Sequence, residues 1–162
     1  MKHLGSYAGK YLYLRTAQSL NSQINWPSLT PYFKLVVFIN AEHATDNETL
    51  FRFAQTALDA GARYIFCAGT AGELLYDIFD EVIVLNEAIY TPNADDAVFT
   101  TWHDYESIAD ILWQAFLFIC TDRFEACNPP ILVLMLADDT RIVELEQIGI
   151  SLDATFQNLL DQ

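Results

Sequence analysis

Four nearly continuous hydrophobic runs divide the chain. They are FKLVVFIN at 33–40, RYIFCAG at 63–69, EVIVLN at 81–86 and PPILVLMLA at 129–137. None of them alternates cleanly between apolar and polar residues, and Val and Ile are frequent. Runs of this kind are typical of strands that are buried on both faces, as in a parallel sheet. The pattern therefore predicts four buried strands.

Helical periodicity occupies the segments between these runs. The predicted helices cover residues 46–60, 70–80, 104–124, 140–148 and 152–160. Strands that alternate with helices indicate crossover connections, parallel strands and helices on both faces of the sheet. We therefore expect a single α/β domain over residues 1–162. Its fold would be a Rossmann-like three-layer sandwich with a mainly parallel sheet of four to five strands, in the order 3-2-1-4 or 2-1-3-4.

Two segments do not fit the alternation. Residues 1–32 are aromatic and basic, and YLYLR within them predicts a short strand. We expect this segment to pack on the acidic remainder of the chain and to add an edge strand. Residues 87–102, EAIYTPNADDAVFTTW, make a connection that is unusually long for a strand-to-helix loop. Within it VFTTW predicts an extra strand; without that strand the connection would be a lid or a contact surface.

Charge is distributed unevenly along the chain. The net charge is −14, yet residues 1–41 contain four basic residues and no acid. A body this acidic repels phosphate backbones and anionic lipid surfaces, which argues against nucleic-acid and membrane binding. It attracts metal cations or a basic protein partner, although acidity also serves solubility alone.

The cysteines and the lack of long apolar stretches indicate the cellular compartment of the protein. The chain has three cysteines, Cys67, Cys120 and Cys127, and no CxxC motif. An odd number in apolar surroundings is typical of reduced thiols. The N-terminal residues lack the apolar core of a secretory signal, and no stretch has the length of a membrane span. These features predict a cytoplasmic protein.

Polar residues follow the predicted strands at the edge where open parallel sheets bind ligands. The predicted crevice residues are Asn40, Gly69, Thr70, Asn86 and Asp139. Helix capping explains much of this polarity without any chemistry. Thr45 and Glu48 have the spacing of a capping box, Asp138 and Asp139 precede a helix, and Gly69 or Thr70 precedes another. Glu42 and His43 are not explained by capping.

Tests for catalytic motifs give no complete signature. GTAG at 69–72 lacks the remaining glycines of a dinucleotide fingerprint and the lysine of a P-loop. Cys67 with His43 could form a nucleophile and base, but Cys67 fits a buried core position equally. We expect His103 to be a solvated residue in the first turn of the long helix. One enzymatic alternative has Glu42 and Asp138 holding Mg²⁺ or acting as general acid and base, with His43 as a further base.

The long helix raises the question of what covers it. Residues 112–120 are apolar nearly all round, which indicates burial on every side. The cover would be the aromatic N-terminal segment or, alternatively, a second chain in a homodimer.

These observations favour a non-enzymatic acidic protein that binds a basic protein partner, as an immunity protein or a regulatory subunit does, and needs no cofactor. The expected contact residues are Tyr90, Asp95, Asp96, Trp102, Asp104 and Glu106. The alternative is a small-ligand binder or Mg²⁺-dependent enzyme that uses the crevice. The resemblance to known proteins reaches only to the general Rossmann-like architecture, which hosts too many functions to imply one.

Overall fold

A computed structural model gives the fold. It describes residues 1–20, 24, 26, 31–44, 46–118, 121–136 and 138–160, without the side chains of Ala94 and Asp139. The protein is an α/β protein with a mixed, mostly parallel sheet. No helix within these ranges combines the length and the apolar composition that crossing a bilayer requires.

Within the described residues the sheet has six strands, in the order β1-β2-β6-β3-β4-β5. They are β1 Lys2–Tyr7, β2 Lys10–Ala17, β3 Phe33–Phe38, β4 Ala62–Ala68, β5 Phe99–His103 and β6 Ile131–Leu136. Every neighbouring pair is parallel except β1 and β2, which form an antiparallel hairpin. The predicted count of four to five was too low, because the basic N-terminal segment contributes two strands. With β5 in place of the wrongly predicted third strand, the four strands have the order 3-2-1-4, one of the two orders that the sequence left open.

Helices cover both faces of the sheet. The first face carries α1 Asn47–Asp59, α2 Gly72–Leu85 and α3 Glu87–Tyr90. The second carries α4 Ile108–Leu117, α6 Asp139–Ile150 and α7 Leu152–Leu160, while the short α5 Asp122–Ala126 precedes β6. Strands β3 and β6 are buried along their whole length, as their continuous apolar runs predict.

The predicted strand at 81–86 is wrong, because EVIVL forms the C-terminal part of α2 and Asn86 is its C-cap. Leu75, Ile78, Phe79 and Val82 are buried at positions i, i+3, i+4 and i+7 of one continuous helix. A short apolar run fits a strand and a buried helix segment equally, and here the spacing of the preceding turns decides. The third parallel strand is instead β5, the VFTTW segment that was predicted as an extra strand.

The predicted helix at 104–124 is two helices. Ser107 and Asp110 form a reciprocal capping box that begins α4 at Ile108, and α4 ends at Leu117. Thr121 caps α5 through the amide of Phe124. Between the two helices, Ile119 and Cys120 lie outside the described residues. Tyr7 of β1 and Phe156 of α7 cover part of α4, since they contact its aromatic side chains. The predicted burial on every side is wrong at its C-terminal end, where Leu117 and the following Phe118 are 46% and 41% exposed.

Ion pairs join the N-terminal hairpin to the helices, in addition to the pairing of β2 with β6. The ammonium of Lys2 lies 2.7 Å from a carboxylate oxygen of Glu146, and that of Lys10 lies 2.8 Å from Glu125. The fully buried Lys34 of β3 shares Glu125 at 3.2 Å. The basic segment thus meets the acidic remainder of the chain at two helices, α5 and α6.

Candidate functional site

The carboxyl edge of the sheet brings three of the predicted crevice residues together. Asn40 follows β3, and Gly69 and Thr70 follow β4, the strand next to it. The hydroxyl oxygen of Thr70 accepts a hydrogen bond from the amide of Ala41 at 2.8 Å, which joins the two loops. A helix cap was expected of Thr70, but α2 begins after Ala71 without a side-chain cap.

The glycines of GTAG have a structural explanation. Gly69 has a φ of +94°, and a Cβ atom there would lie 2.4 Å from the carbonyl oxygen of Ile39. A Cβ at Gly72 would lie 2.8 Å from the carbonyl oxygen of Cys67. Both positions therefore require glycine because backbones approach closely, and neither indicates a phosphate.

Asn86 does not belong to this edge. It follows the last residue of α2 and donates from its amide nitrogen to the carbonyl of Val82 at 2.9 Å. Since β4 and β5 are parallel, α2 returns from the carboxyl edge to the amino edge over about 20 Å. The prediction failed because it placed Asn86 at the end of a strand that is a helix.

The alternative catalytic set, Glu42, His43 and Asp138, shows no joint arrangement. Glu42 and His43 lie on a 3₁₀ turn, with 4.0 Å between Oε1 and Nδ1. Asp138 is engaged elsewhere, since its carboxylate caps α6 at the amide of Arg141 and lies 3.4 Å from that residue's Nε. The backbone of Asp139 begins α6, and its side chain is outside the described set.

Two further candidates for chemistry are also constrained. Burial raises the pKa of the Cys67 thiol well above its ordinary value, which disfavours a thiolate nucleophile. Thr45 lies outside the described residues, and the cap of α1 is Asp46, which accepts from the amide of Thr49. Among the described side chains, no three or more His, Cys, Asp or Glu are grouped to hold a metal ion.

A cavity of about 160 Å³ lies at the carboxyl edge between α4 and α6. Phe38, Ala68, Ile108 and Ile111 give it an apolar lining. The polar lining comes from His103, Asp104, Glu106, Ser107, Arg141 and Glu144. Two of the predicted contact residues, Asp104 and Glu106, thus lie at this cavity.

His103 is buried at the end of β5 and was wrongly predicted to be solvated. Its ring stacks on Phe66, with 5.6 Å between centroids, and its Nε2 lies 2.9 Å from the hydroxyl of Thr101. Its Nδ1 is buried without a hydrogen bond, although Oε1 of Glu106 is 3.2 Å away. This distance is that of an ion pair only when the ring is protonated, and the two atoms make no hydrogen bond.

The other predicted contact residues are dispersed. Tyr90 is buried and donates to Asp59 at 2.7 Å, so it cannot be an exposed anchor. Asp96 pairs with Arg123 at 2.6 Å, and Asp95 is exposed in the same turn. Trp102 is 47% exposed and packs on Tyr76 of α2. Asp95 and Trp102 lie at opposite ends of β5, so they do not form one compact patch.

An acidic stripe on α2 was not predicted. Glu73, Asp77 and Glu81 are exposed and spaced by four residues, so they lie on one face of the helix. None of the three pairs with a base within the described part of the chain. The stripe is visible in the sequence only once residues 72–85 are treated as one helix.

Exposed apolar residues continue the surface of α2. Val84 and Leu85, at its C-terminal end, are 73% and 65% exposed, and Ile89 of α3 is 67% exposed. Neighbouring apolar exposure of this degree is characteristic of a contact surface. We call Glu73, Asp77, Glu81, Val84, Leu85 and Ile89 the α2 face.

These features define an α/β protein with an open, mostly parallel sheet, a polar cavity at the carboxyl edge and an acidic helical face. The chain belongs to the family described as Domain of unknown function (DUF7684), whose family model matches residues 9–150. The matched range includes every residue that lines the cavity and the whole α2 face. No curated protein matches the chain.

Proposed function

We propose that the protein is a non-enzymatic binding protein for a basic protein partner, of the immunity-protein or regulatory-subunit type, and that it acts in the cytoplasm. We further propose that its sheet and two helical layers form a Rossmann-like three-layer sandwich. In this proposal the sandwich is a rigid frame, and the α2 face is the contact surface.

The pairing of charges is the observation that carries the proposal. Ion pairs within the chain engage the basic residues Lys2, Lys10, Lys34, Arg52, Arg123 and Arg141. The guanidinium of Arg63 donates to the carbonyls of Leu58 and Ala62. With so many bases occupied internally, the net charge of −14 is presented outward mainly by acids. Such a surface accelerates association with a basic protein and orients it.

The composition of the α2 face supports its role as the contact. Like charges four residues apart destabilise a helix by about 0.2–0.5 kcal/mol per pair. The chain retains two such pairs, Glu73–Asp77 and Asp77–Glu81, beside exposed Val84 and Leu85. An interface commonly has an apolar centre and a polar rim, and this combination suits one. Tyr76 of α2 and Trp102 of β5, which pack with 5.0 Å between ring centroids, offer an aromatic anchor beside the stripe.

A capture experiment with matched variants tests the proposal. The test variant carries Glu73→Gln, Asp77→Asn and Glu81→Gln, and the control carries Glu42→Gln, Asp122→Asn and Asp153→Asn. Both remove three charges, but only the first changes the α2 face. We expect basic proteins from the native cell to bind the original chain and the control, and to be lost with the test variant.

The association rate of a captured protein provides the second measurement. It should fall steeply as salt rises, because screening removes electrostatic steering. Capture of no basic protein, or equal capture by the test variant and the control, would contradict the proposal.

A further inference from the structure

The cavity at His103 has properties that the binding of a basic protein to the α2 face does not explain. It lies on the α4 side of the sheet, whereas α2 packs on the opposite side. Its volume of about 160 Å³ is comparable to cavities that admit a six-membered carbon ring. It is therefore large enough for a small organic molecule.

The hydrogen bonds of His103 are compatible with a neutral tautomer in which one ring nitrogen is an acceptor. The hydroxyl of Thr101 lies 3.5 Å from the carbonyl of Ile65, to which it can donate, and 2.9 Å from Nε2 of His103. If the Thr101 hydroxyl donates its proton to the carbonyl of Ile65, the Thr101 oxygen can accept a hydrogen bond from the N–H at Nε2 of His103. In that tautomer Nδ1 carries a lone pair and needs a donor.

No donor in the described structure meets that need. The histidine side chain is 4% exposed, and its Nδ1 makes no hydrogen bond. The nearest charged atom is Oε1 of Glu106 at 3.2 Å, which is itself an acceptor. Two facing acceptors repel each other unless a donor lies between them, and a buried acceptor without a partner is costly.

The charged side chains that line the cavity favour a positively charged ligand. Asp104, Glu106 and Glu144 contribute carboxylates. Arg141 is the lining residue of opposite charge, but its Nε lies 3.4 Å from Asp138 and its guanidinium lies over the ring of Phe38 at 5.7 Å. The excess of carboxylates favours a cation, and the described residues supply no group of ligands for a metal ion.

We propose that this cavity binds the ammonium group of an organic amine. An ammonium carries three donors, so it can bridge Glu106 and Nδ1 of His103 and still donate to Asp104 or Glu144. Glu106 is 42% exposed, so its side chain can turn to admit the ammonium between itself and the ring. Ile108, Ile111 and Phe38 contact the carbon part of the ligand.

Titration with three probes of similar size tests the proposal. The probes are n-butylammonium chloride, butan-1-ol and sodium butyrate, followed through the NMR signals of the His103 ring and the Ile108 and Ile111 methyl groups. We expect saturable shifts with butylammonium and at least about tenfold weaker binding of the neutral and anionic probes. No shift with butylammonium, or equal binding of butyrate, would overturn the proposal.

Two variants locate the site. Glu106→Gln removes an exposed carboxylate, which spares the fold, and should weaken butylammonium binding at least about tenfold. Glu87→Gln makes the same charge change at an exposed position of α3, on the other side of the sheet, and should leave binding unchanged. Equal effects of the two variants would reduce the result to general charge attraction and contradict the site.

A peptide titration distinguishes a lysine side chain from a small free amine as the source of the ammonium group. A flexible lysine-containing peptide is titrated beside the same peptide with acetylated lysines. Tighter binding of the lysine peptide than of butylammonium identifies a protein side chain as the ligand, and binding of butylammonium alone identifies a small free amine. Either result supports ammonium recognition, whereas equal binding of the acetylated peptide contradicts it.

Discussion

At the scale of single residues, burial determines which role a side chain can have. His103 and Tyr90 were predicted to be exposed, and both are buried. The role of each depends on a partner from a distant part of the chain, Phe66 for His103 and Asp59 for Tyr90. Sequence spacing along one element cannot identify such partners, since they follow from the register of neighbouring strands and helices.

Tyr90 gives a prediction about alkaline stability. Burial, together with its hydrogen bond to Asp59, raises the pKa of Tyr90 from 10.0 to about 12. The neutral form is thus favoured in the fold, so the contribution to stability is complete below pH 10 and disappears as the pH rises through about 12.

We expect Tyr90→Phe to lower the free energy of unfolding by about 1–2 kcal/mol near neutral pH. The difference from the original chain should shrink as the pH rises from about 10 towards 12. Urea unfolding of both chains at several pH values measures it. A difference that stays constant over this interval would contradict the assignment, and Tyr105→Phe, which changes a 98% exposed tyrosine, is the control.

At the scale of elements, α2 and α5 use charge in opposite ways. The stripe on α2 places like charges side by side on an exposed face. By contrast, α5 uses one carboxylate, Glu125, to hold Lys10 of β2 and Lys34 of β3. Lys34 also donates to the carbonyl of Phe118, which joins the segment before α5 to the sheet. The first arrangement serves an external contact in our proposal, and the second fixes a helix to the sheet.

Asp77→Arg should stabilise the protein while weakening partner binding. Arginine at 77 exchanges two repulsive spacings for two attractive ones, with Glu73 and Glu81, which is worth about 0.8–2 kcal/mol in total. Thermal unfolding at low salt measures the gain, and about 1 M NaCl should reduce it. Asp77→Gln is the control, because it removes repulsion without adding attraction and should give a smaller gain. A loss of stability with arginine would contradict the claim that Glu73, Asp77 and Glu81 repel one another along α2.

Glu125→Gln should be strongly destabilising. Burial alone would raise the pKa of Glu125, but the hydrogen bond and charge of Lys10 and the charge of Lys34 outweigh it and lower the pKa. The ionised carboxylate of Glu125 therefore stabilises the fold at pH values above the ordinary glutamate pKa. This stabilisation is lost as the pH falls through the lowered pKa of Glu125. Removing the carboxylate takes the negative charge of the ion pair away from the buried ammonium of Lys34, at a cost of about 3–5 kcal/mol.

A double variant separates this charge effect from simple loss of packing. Lys34→Met combined with Glu125→Gln removes the buried charge together with its partner, so it should recover much of the lost stability. Denaturant unfolding near neutral pH measures both variants. If the double variant is no more stable than Glu125→Gln alone, the explanation from buried charge is wrong.

At the scale of the whole molecule, the sequence predicted the layers better than the site. The continuous apolar runs of β3, β4 and β6 predicted the parallel sheet, because burial on both faces requires them. EVIVLN was wrongly predicted as a strand because a short apolar run does not distinguish a strand from a buried helix. This error placed Asn86 at the wrong edge of the sheet, and it left the acidic stripe on α2 unrecognised. The cavity depends on α4 and α6 meeting over β3 and β4, a tertiary relation with no local signal.

The net charge of −14 gives the prediction for the molecule as a whole. Mutual repulsion among exposed acids opposes the compact state, and salt screens it. Raising NaCl from about 0.05 M to about 0.5 M should therefore stabilise the fold by on the order of 1 kcal/mol, or about 2–4 °C in Tm for a chain of this size. Calorimetry measures the shift. The variant with Glu73, Asp77 and Glu81 neutralised should respond less to salt, since part of the repulsion is already gone. A Tm that is unchanged or lower at high salt would mean that the internal ion pairs, which salt weakens, outweigh the repulsion.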